Sequence, residues 1–418
     1  MPGRAPAAAG TPSLLRRMNS ALVLDVIRAR GPLSRPDIAR ATGLSKPTVN
    51  EVVELLIGAG WVDEAAAGDG ERPRRPGPRA RLLRFRADLG HVLGIDVGAN
   101  KAVALVADLS GRVLAREHRP VGGPARAGPD ALLGEVRAIA DAALARAGVP
   151  RAALHAVGVG TPGVVDPESG RVALAPQLAG WEGLELGARL EAAFGCPAAV
   201  DNETNISLLA EVAHGAAAGV RDALYVQAGV GIGAAILVGG QLYRGAGGAA
   251  GEIGYLPGGD EEDAPAFGSG PFEWAAGGRA YARLGARAAA AAGARGAVLR
   301  ELAGGDPERV TAETVFAAAA RGDAAAREVV ATLVPRLAAG IATAATVLAP
   351  ELVVLGGGLA NAGAALLDPV ARIVRERVPV PPRVVLSRLG DEAVALGAVR
   401  LATDLADERL FAFDAATA

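Results

Sequence analysis

Hydrophobic positions near the start of the chain recur with helical spacing in three short blocks. The first helix is predicted over residues 13–30 and stops at Gly31-Pro32, a pair that ends helices. The second is predicted over residues 34–42, and the third over residues 45–60 with Ser45 as its N-cap. These blocks predict a small helical unit at the N-terminus.

The third helix has one apolar stripe and one polar face. The stripe follows the i, i+3, i+4, i+7, i+8 rule, with Val49, Val52, Val53, Leu56 and Ile57. The polar face begins at the N-terminus of the helix and contains Ser45, Lys46, Thr48 and Asn50. A tight turn before such a helix is typical of a helix-turn-helix, so these four residues are the predicted DNA contacts. The helices alone leave open a three-helix bundle used for protein contact.

An arginine-rich hairpin is predicted directly after the helices. A strand starts at Trp61, turn residues fill positions 68–78, and a returning strand covers positions 81–86. Between positions 72 and 86 there is no acidic residue, and the arginines are Arg72, Arg74, Arg75, Arg79, Arg81, Arg84 and Arg86. We expect this wing to contact DNA phosphates or the minor groove. A solvated linker is the alternative interpretation.

From residue 92 the pattern changes to alternating strands and helices. Residues 92–111 predict a strand, a glycine turn and a strand, and the same pattern restarts over residues 223–238, which indicates an internal duplication. Further strands are predicted over residues 156–160, 197–200 and 351–355. Further helices are predicted over residues 130–147, 184–194, 278–304, 311–348, 366–378 and 393–405.

Composition and charge narrow the class of protein. The 418 residues are 51% hydrophobic and only 3% aromatic, with a formal net charge of −2, so we expect an aliphatic core and no global positive field. Cys196 is the single cysteine, which excludes an intrachain disulfide and fits a reducing cytoplasm. No window reaches about 18 uninterrupted apolar residues, so no membrane span is expected.

Three glycine-rich loops follow predicted strands in the α/β region. Their residues are Asp96 and Gly98, then Gly229, Gly231 and Gly233, and finally Gly356 and Gly357. Such loops let backbone N–H groups approach phosphates without an intervening Cβ. Each loop alone is weak support, because a β-hairpin often needs glycine.

Taken in order, these segments resemble the ROK family of repressors, open reading frames and sugar kinases. The segments that carry the resemblance are LGIDVGANKAVALVADLSG, GVGTPGVVDPESG, VDNETNISLLAEVAHG, AGVGIGAAILVGGQLYRGAGGAAGEIGY, VLGGGL and ALGAVRLA. The N-terminal helices and hairpin resemble the winged helix-turn-helix of the repressor branch. The resemblance implies a duplicated, actin-like or ribonuclease-H-like α/β fold in which a cleft separates two lobes.

The resemblance implies domain boundaries and a sugar site. The predicted segments are a disordered N-terminus over residues 1–12, a DNA-binding domain over 13–87, a first lobe over 88–200, and a second lobe over 201–418 whose last helices return to the first. Carried over motif by motif, the sugar contacts are Asn202, Glu203, Glu252, Tyr255 and Glu273. For Glu252, capping of the following helix is the alternative role.

The chain departs from the sugar kinases of this family at the reacting centre. Those kinases read Asn-Asp-Ala-Asn, and their Asp takes the proton of the sugar hydroxyl, whereas Glu203 occupies that position here. Ala99 and Asn100 replace Gly and Thr in the first phosphate loop, and Val230 replaces Thr in the second. We therefore expect no catalytic residue, no ATP, and a vestigial nucleotide site. Its residues would be Asp96, Gly98, Lys101, Gly229, Gly231, Gly233, Gly356 and Gly357.

The zinc-binding segment of the family is also replaced. Its histidine position holds Tyr255, and its cysteine positions fall within a segment, residues 264–272, that has no cysteine or histidine. Zinc is therefore predicted to be absent.

The sequence predicts a sugar-responsive transcriptional regulator, a repressor of carbohydrate genes that a sugar releases from operator DNA. We expect a cytoplasmic homodimer or homotetramer that does not contact membranes. The alternatives are an ATP-dependent sugar kinase with an attached DNA-binding domain, and a regulator that senses a phosphosugar or a protein partner.

Overall fold

Three helices and a small sheet form the N-terminal unit. The computed structural model describes residues 12–65, 81–98, 101–121, 128–176, 178, 180–258, 269–291 and 293–410. The helices are α1 (Pro12–Arg30), α2 (Arg35–Thr42) and α3 (Lys46–Gly58). The strands are β1 (Leu33–Ser34), β2 (Val62–Ala65) and β3 (Leu82–Phe85), which pair antiparallel in the order β1-β3-β2. This is a winged helix-turn-helix, as predicted. Its two-residue β1 is too short to show a period-2 pattern.

Local caps explain where α2 and α3 begin and end. The Ser34 hydroxyl accepts a hydrogen bond from the Asp37 amide, and the Ser45 hydroxyl accepts one from the Thr48 amide. Gly43 ends α2 with a φ of 71°, in the left-handed region that favours glycine. Residues 1–11 of the N-terminal segment that was predicted to be disordered lie outside the described residues. Its last residue, Pro12, is the first residue of α1.

The first lobe is a five-stranded sheet in the order β10-β7-β4-β5-β6. Its strands are β4 (His91–Val97), β5 (Lys101–Asp108), β6 (Val113–Pro120), β7 (Leu154–Thr161) and β10 (Ala198–Asn202). The helices α4 (Pro129–Ala147) and α5 (Leu186–Phe194) connect them, and a short hairpin consists of β8 (Val164–Val165) and β9 (Val172–Leu174). Strand β10 runs two residues past the predicted lobe boundary at residue 200.

The second lobe repeats this arrangement with the sheet order β13-β12-β11-β14-β15. Its strands are β11 (Ala223–Ala228), β12 (Ile232–Val238), β13 (Gln241–Tyr243), β14 (Leu352–Gly356) and β15 (Arg383–Leu386). In both sheets the first three strands are antiparallel and the last two run parallel to the first. The shared topology agrees with the predicted internal duplication.

Helices cover the second sheet and link the lobes. They are α6 (Glu203–His214), α7 (Pro271–Ala276), α8 (Gly278–Ala291), α9 (Ala297–Leu302), α10 (Ala312–Ala320), α11 (Ala324–Leu348), α12 (Ala364–Arg377) and α13 (Ala393–Leu410). Two predicted long helices are wrong, because each one is broken. Residues 278–304 break near Gly293, and residues 311–348 break at Gly322, whose φ is 93°, before Asp323 caps α11.

Helix α11 has the length and hydropathy of a membrane span, and it is the one described helix that does. However, Leu333, Leu337 and Ile341 on this helix are buried in the hydrophobic core of the second lobe. That packing is the one expected of a core helix.

The last helix, α13, packs unusually closely against the first lobe. A Cβ placed on Gly158 of β7 would lie 2.0 Å from the carbonyl oxygen of Ala398. A Cβ placed on Gly397 would lie 1.9 Å from the carbonyl oxygen of Ile206 on α6. Glycine at these two positions therefore lets α13 touch both the first sheet and α6 through backbone contacts.

One hydrophobic cluster joins the winged helix to the first lobe. It contains Ile27 of α1 and Val53 of α3 together with Leu105 of β5 and Val399 of α13, all of them fully or almost fully buried. The N-terminal unit and the first lobe thus share a continuous core.

Candidate functional site

A cavity of about 180 Å³ lies between the two lobes. All five predicted sugar contacts line it: Asn202, Glu203, Glu252, Tyr255 and Glu273. The first two come from the end of β10 and the start of α6 in the first lobe. The other three come from the segment after β13 and from α7 in the second lobe. The fold thus brings together residues that are up to 71 positions apart in sequence.

Asn202 caps α6 and fixes the wall on the first-lobe side. Its Oδ1 accepts hydrogen bonds from the amides of Thr204 (2.7 Å) and Asn205 (3.4 Å). Its Nδ2 donates to the carbonyl oxygen of Gly163 at 2.7 Å. Because both ends of this side-chain amide are already bonded within the protein, Asn202 shapes the cavity and orients the adjacent Glu203.

The wall on the second-lobe side is acidic. Oε2 of Glu273 accepts a hydrogen bond from the Ile232 amide at 3.0 Å, which ties α7 to the start of β12. The Glu252 side chain makes no capping hydrogen bond to the short turn that follows it, so the alternative role as a helix cap is not observed. Tyr255 is half exposed, with 53% of its surface accessible at the cavity edge.

Burial shifts the acids of this cavity toward their neutral forms. Burial raises the pKa of Glu203 to about 7, and the nearby Lys101 opposes the shift only in part. Burial, followed by the charge of Glu273, also raises the pKa of Glu252. Among the described lining residues there is no lysine, arginine or histidine. The described lining therefore offers hydrogen-bond acceptors and donors but no cationic side chain.

A second cavity, of about 270 Å³, adjoins the first. Six of the residues predicted for a vestigial nucleotide site line it: Asp96, Gly98, Lys101, Gly229, Gly356 and Gly357. Gly231 and Gly233 line the first cavity instead, because the turn between β11 and β12 crosses from one cavity to the other. Glu203 and Val230 border both cavities.

Two charged residues at the edge of the second cavity, Lys101 and Asp391, form an ion pair. Nζ of Lys101 lies 3.2 Å from the carbonyl oxygen and 3.4 Å from Oδ1 of Asp391. Burial, and then the charge of Glu203, raises the pKa of Asp96 to about 7, although Lys101 opposes this shift. Val230 is 60% exposed at the position where the kinases carry a threonine. The altered Ala99 and Asn100 lie outside the described residues.

Sequence reasoning missed several polar residues of these cavities. Gln227 borders both cavities, and it stands out as the polar residue in the otherwise apolar strand β11. Asn361 and Asp391 line the second cavity from two short 3-10 helices, and Asn361 lies just beyond the VLGGGL segment.

The predicted DNA-contacting face is divided between exposed and capping residues. Lys46 and Asn50 are exposed at the start of α3. The hydroxyls of Ser45 and Thr48 lie 2.8 Å apart within the helix cap. The predicted wing contacts Arg72, Arg74, Arg75 and Arg79 lie outside the described residues.

The described end of the wing carries less free positive charge than its sequence suggests. Arg84 makes two hydrogen bonds to Asp63, at 2.7 and 3.1 Å. Arg81 pairs with Glu64 across the same hairpin. These acids lie on β2, outside the arginine-rich stretch that the sequence singles out.

No group of three or more potential metal ligands occurs among the residues that the structure describes. Most of the replaced zinc segment, residues 259–268, lies outside them.

Two family models match this chain. Residues 92–405 match the ROK family, and residues 15–72 match the MarR family. Among solved structures, the ROK family glucokinase from Streptomyces griseus in complex with glucose and AMPPNP has a TM-score of 0.65 and 29% identity, over 75% of this chain and all of that chain. A ROK family transcriptional regulator, a homolog of the E. coli MLC protein, has a TM-score of 0.75 and 23% identity, over 96% of this chain and 98% of that one.

Curated relatives match over a shorter length. The putative xylose repressor of Caldicellulosiruptor sp. (strain Rt8B.4) is 32% identical over 249 residues, which is 59% of this chain and 60% of the relative. The DNA-binding transcriptional dual regulator NagC of Escherichia coli (strain K12) is 31% identical over 252 residues, 59% of each protein. The matched part of the chain thus spans about three fifths of the length of these relatives. Because the ROK model covers both lobes, and the duplicated sheets and cleft fit it, the chain belongs to the ROK family.

Proposed function

We propose that this chain is a sugar-responsive DNA-binding repressor. Operator DNA binds the winged helix, and a small carbohydrate in the cleft weakens that binding. The observation that carries the proposal is the continuous hydrophobic core between the winged helix and the first lobe, since it couples a DNA-binding unit to a ligand cleft. The names of the curated relatives, a putative xylose repressor and the regulator NagC, agree with it.

The chemistry of the cleft favours an uncharged monosaccharide over a sugar phosphate. Glu203, Glu252 and Glu273 all line the cavity, and their carboxyl oxygens can accept hydrogen bonds from sugar hydroxyls. A phosphate would meet these acids without a facing cation. At about 180 Å³ the cavity is also smaller than the pockets of about 300 Å³ and more that hold drug-sized ligands.

Helix α13 provides a physical connection between the ligand and the DNA-binding unit. Its first turn, at Ala393 and Val394, borders the second cavity. Its second turn touches α6 through Gly397, and α6 begins at Glu203, which lines the first cavity. Its last turns pack on α1 of the winged helix. A ligand that shifts α6 would therefore act on α13 and through it on α1.

Titration of DNA with and without sugar tests this function. Duplexes selected from a random pool by the full chain serve as operator, and D-xylose, D-glucose and N-acetyl-D-glucosamine serve as probes. One of these sugars is expected to weaken operator binding. A chain that selects no DNA sequence, or a DNA affinity that is the same with every sugar, contradicts the proposal.

A working sugar kinase is the second candidate, and the match to the Streptomyces griseus glucokinase favours it. Against it stand Glu203 at the base position and Val230, which replaces a threonine in the second phosphate loop. A coupled assay for ADP over the same three sugars distinguishes the two candidates. Turnover that is lost in Glu203→Gln would establish the kinase.

The remaining expectations follow from the repressor proposal. A regulator of chromosomal DNA acts in the cytoplasm, and a homodimer or homotetramer would match the repeated half-sites of an operator. Neither ATP nor zinc is required for this function.

A further inference from the structure

We propose that Arg244 is a positioning residue for the sugar cavity, because it joins the two lobes through the buried Asp201. The inference rests on the proposed function in taking the ligand of the cavity to be a sugar. Arg244 follows β13 in the second lobe, and Asp201 lies near the end of β10 in the first. Neither residue lines the cavity, so Arg244 would act through its neighbours.

Asp201 organises the first-lobe wall of the cavity. Its side chain is only 4% exposed. Oδ1 accepts hydrogen bonds from the Asn202 amide at 2.7 Å and from Nδ2 of Asn205 at 2.8 Å. Oδ2 accepts one from Nε of Arg244 at 2.7 Å. Asp201 therefore holds the first turn of α6, where Asn202 and Glu203 lie, and its remaining charge is neutralised from the other lobe.

Arg244 begins the loop that carries the second-lobe wall. Its carbonyl oxygen accepts a hydrogen bond from the Ala250 amide at 2.9 Å, which closes the loop just before Glu252. Within this loop, a Cβ placed on Gly248 would lie 2.1 Å from the carbonyl oxygen of Val165, so the loop backbone contacts the first-lobe hairpin directly. The loop thus lies against the first lobe while presenting Glu252 to the cavity.

The ion pair consequently sets the spacing between the two walls. Glu203 and Glu252 must face the same sugar from opposite lobes, so a change in their spacing lengthens or misaligns the hydrogen bonds that either wall makes to it. The hydrogen bond from the Nε of an arginine to a buried carboxylate has a defined direction, and a lysine ammonium does not reproduce that geometry. We therefore expect Arg244→Lys to restore little of the function.

The test measures sugar affinity and folding in the same set of full-length variants. Isothermal titration uses whichever of D-xylose, D-glucose and N-acetyl-D-glucosamine binds the unmodified chain most tightly. Arg244→Met is expected to weaken its binding about tenfold or more, the equivalent of about one hydrogen bond, while sugar-free operator affinity stays unchanged. Asp201→Asn keeps an oxygen for the Asn202 and Asn205 donors but loses the charged partner, so it is expected to have a similar effect. The double variant is expected to be no weaker than either single variant, because both remove the same interaction.

Arg372→Met is the matched control, since Arg372 pairs with Glu376 on the exposed face of α12. Equal sugar affinity in Arg244→Met and Arg372→Met would overturn the inference. If the unmodified chain binds none of the three sugars, the proposed function fails, and hydrogen exchange of the sugar-free protein still decides the role of Arg244. Arg244→Met should then speed exchange selectively in residues 202–206 and 245–254, and unchanged or uniformly faster exchange would overturn the inference.

Discussion

Arg28 of α1 and Asp407 of α13 form a two-point ion pair between the winged helix and the last helix of the ROK domain. Nη2 of Arg28 donates to Oδ1 of Asp407 at 2.7 Å, and Nη1 donates to Oδ2 at 2.5 Å. Both side chains are largely buried, with 13% and 16% of their surfaces exposed. The Arg28 guanidinium also lies 4.7 Å from the ring centre of Phe85 on β3. One side chain thus connects α1, the wing and α13.

Loss of this pair should loosen the winged helix from the ROK domain. Arg28→Met leaves Asp407 buried without its partner, which in comparable cases costs about 3–5 kcal/mol. We expect a lower midpoint of thermal unfolding and a reduced effect of sugar on operator affinity.

Arg372→Met is a suitable control for Arg28→Met. Arg372 lies on α12 and pairs with Glu376 one turn away on the exposed face of that helix, so its pair contacts neither α1 nor α13. This variant should change stability by about 0.5 kcal/mol or less. Equal effects of the two variants would show that the ion pair between α1 and α13 stabilises the protein no more than an exposed ion pair does.

The sequence predicted the fold better than it predicted the contacts between its parts. The caps at Ser34 and Ser45 act locally, so they can be read directly from neighbouring residues. The pairing of Arg28 with Asp407 spans 379 positions, and no local pattern marks it. Helix α6 is not among the predicted helices, although Asn202 is a recognisable N-cap whose side chain accepts from the amides of Thr204 and Asn205.

For the cavity too, motifs predict which residues line it but not which hydrogen bonds those residues make. Five residues that line the cavity could be placed from their motifs, yet the structure shows that the polar atoms of Asn202 are hydrogen-bonded to α6 and to Gly163. The acids Asp63 and Glu64 that neutralise Arg84 and Arg81 lie far from the arginines in sequence, so the net charge of the wing depends on hairpin register.

Substitutions in the winged helix should separate sequence recognition from general attraction to DNA. Lys46→Ala or Asn50→Ala is expected to change operator preference, because both residues are exposed at the start of α3. Arg75→Ala or Arg79→Ala should weaken binding to all sequences and reduce the salt slope by about 0.9 for each lost phosphate contact.

Arg84→Ala provides the comparison for the wing, since Asp63 already neutralises that arginine. Its salt slope should change less than that of the other two arginine variants. Fluorescence anisotropy over a range of salt concentrations measures these slopes. Operator affinity that survives deletion of residues 1–87 would disprove the DNA-binding assignment.

The buried acids of the cleft should make the sugar-free protein less stable as pH rises. The pKa values of Glu203 and Asp96 are raised to about 7, so the folded state holds their protons more tightly than the unfolded state does. The stabilisation that these bound protons give the folded state is complete below about pH 4 and is lost as pH rises through 7. Glu203→Gln should therefore be more stable than the unmodified chain by about 1–3 kcal/mol at pH 8, with little difference at pH 4.

Urea unfolding at pH 4, 6 and 8 measures this difference. Glu376→Gln, on the exposed face of α12, should show no comparable dependence on pH. A Glu203→Gln effect of the same size at pH 4 and pH 8 would show that proton binding at Glu203 is not its cause.

Zinc should be absent from the purified protein. The sequence lacks cysteine and histidine where the family binds the metal, and a stable zinc site needs about four such ligands. Elemental analysis of protein prepared without a histidine tag is expected to find well below one zinc per chain. Stoichiometric zinc would mean that the segment around residues 259–273 has been aligned wrongly with the family pattern.

Sugar binding and operator binding should oppose each other with equal strength. A sugar held by Glu203 from the first lobe and by Glu252 and Glu273 from the second favours closed lobes. In a dimer, movement of the lobes would displace the two recognition helices from the separation of about 34 Å that successive half-sites require. A coupling of about 1–3 kcal/mol then lowers operator affinity some 5–150-fold, and operator DNA lowers sugar affinity by the same factor.

Glu273→Gln tests this linkage more cleanly than Glu273→Ala. Glutamine keeps an oxygen for the Ile232 amide, which now donates to Oε2 at 3.0 Å, while it removes the charge that faces the cavity. We expect weaker sugar binding, a sugar response shifted to higher concentration, and unchanged operator affinity without sugar, because Glu273 lies in the second lobe, away from the core shared with the winged helix. Anisotropy titrations of operator at several sugar concentrations measure both directions of the coupling. Operator binding that tightens with sugar would identify a corepressor and reverse the sign, whereas an operator affinity that is the same with and without bound sugar would show that the two sites are not coupled.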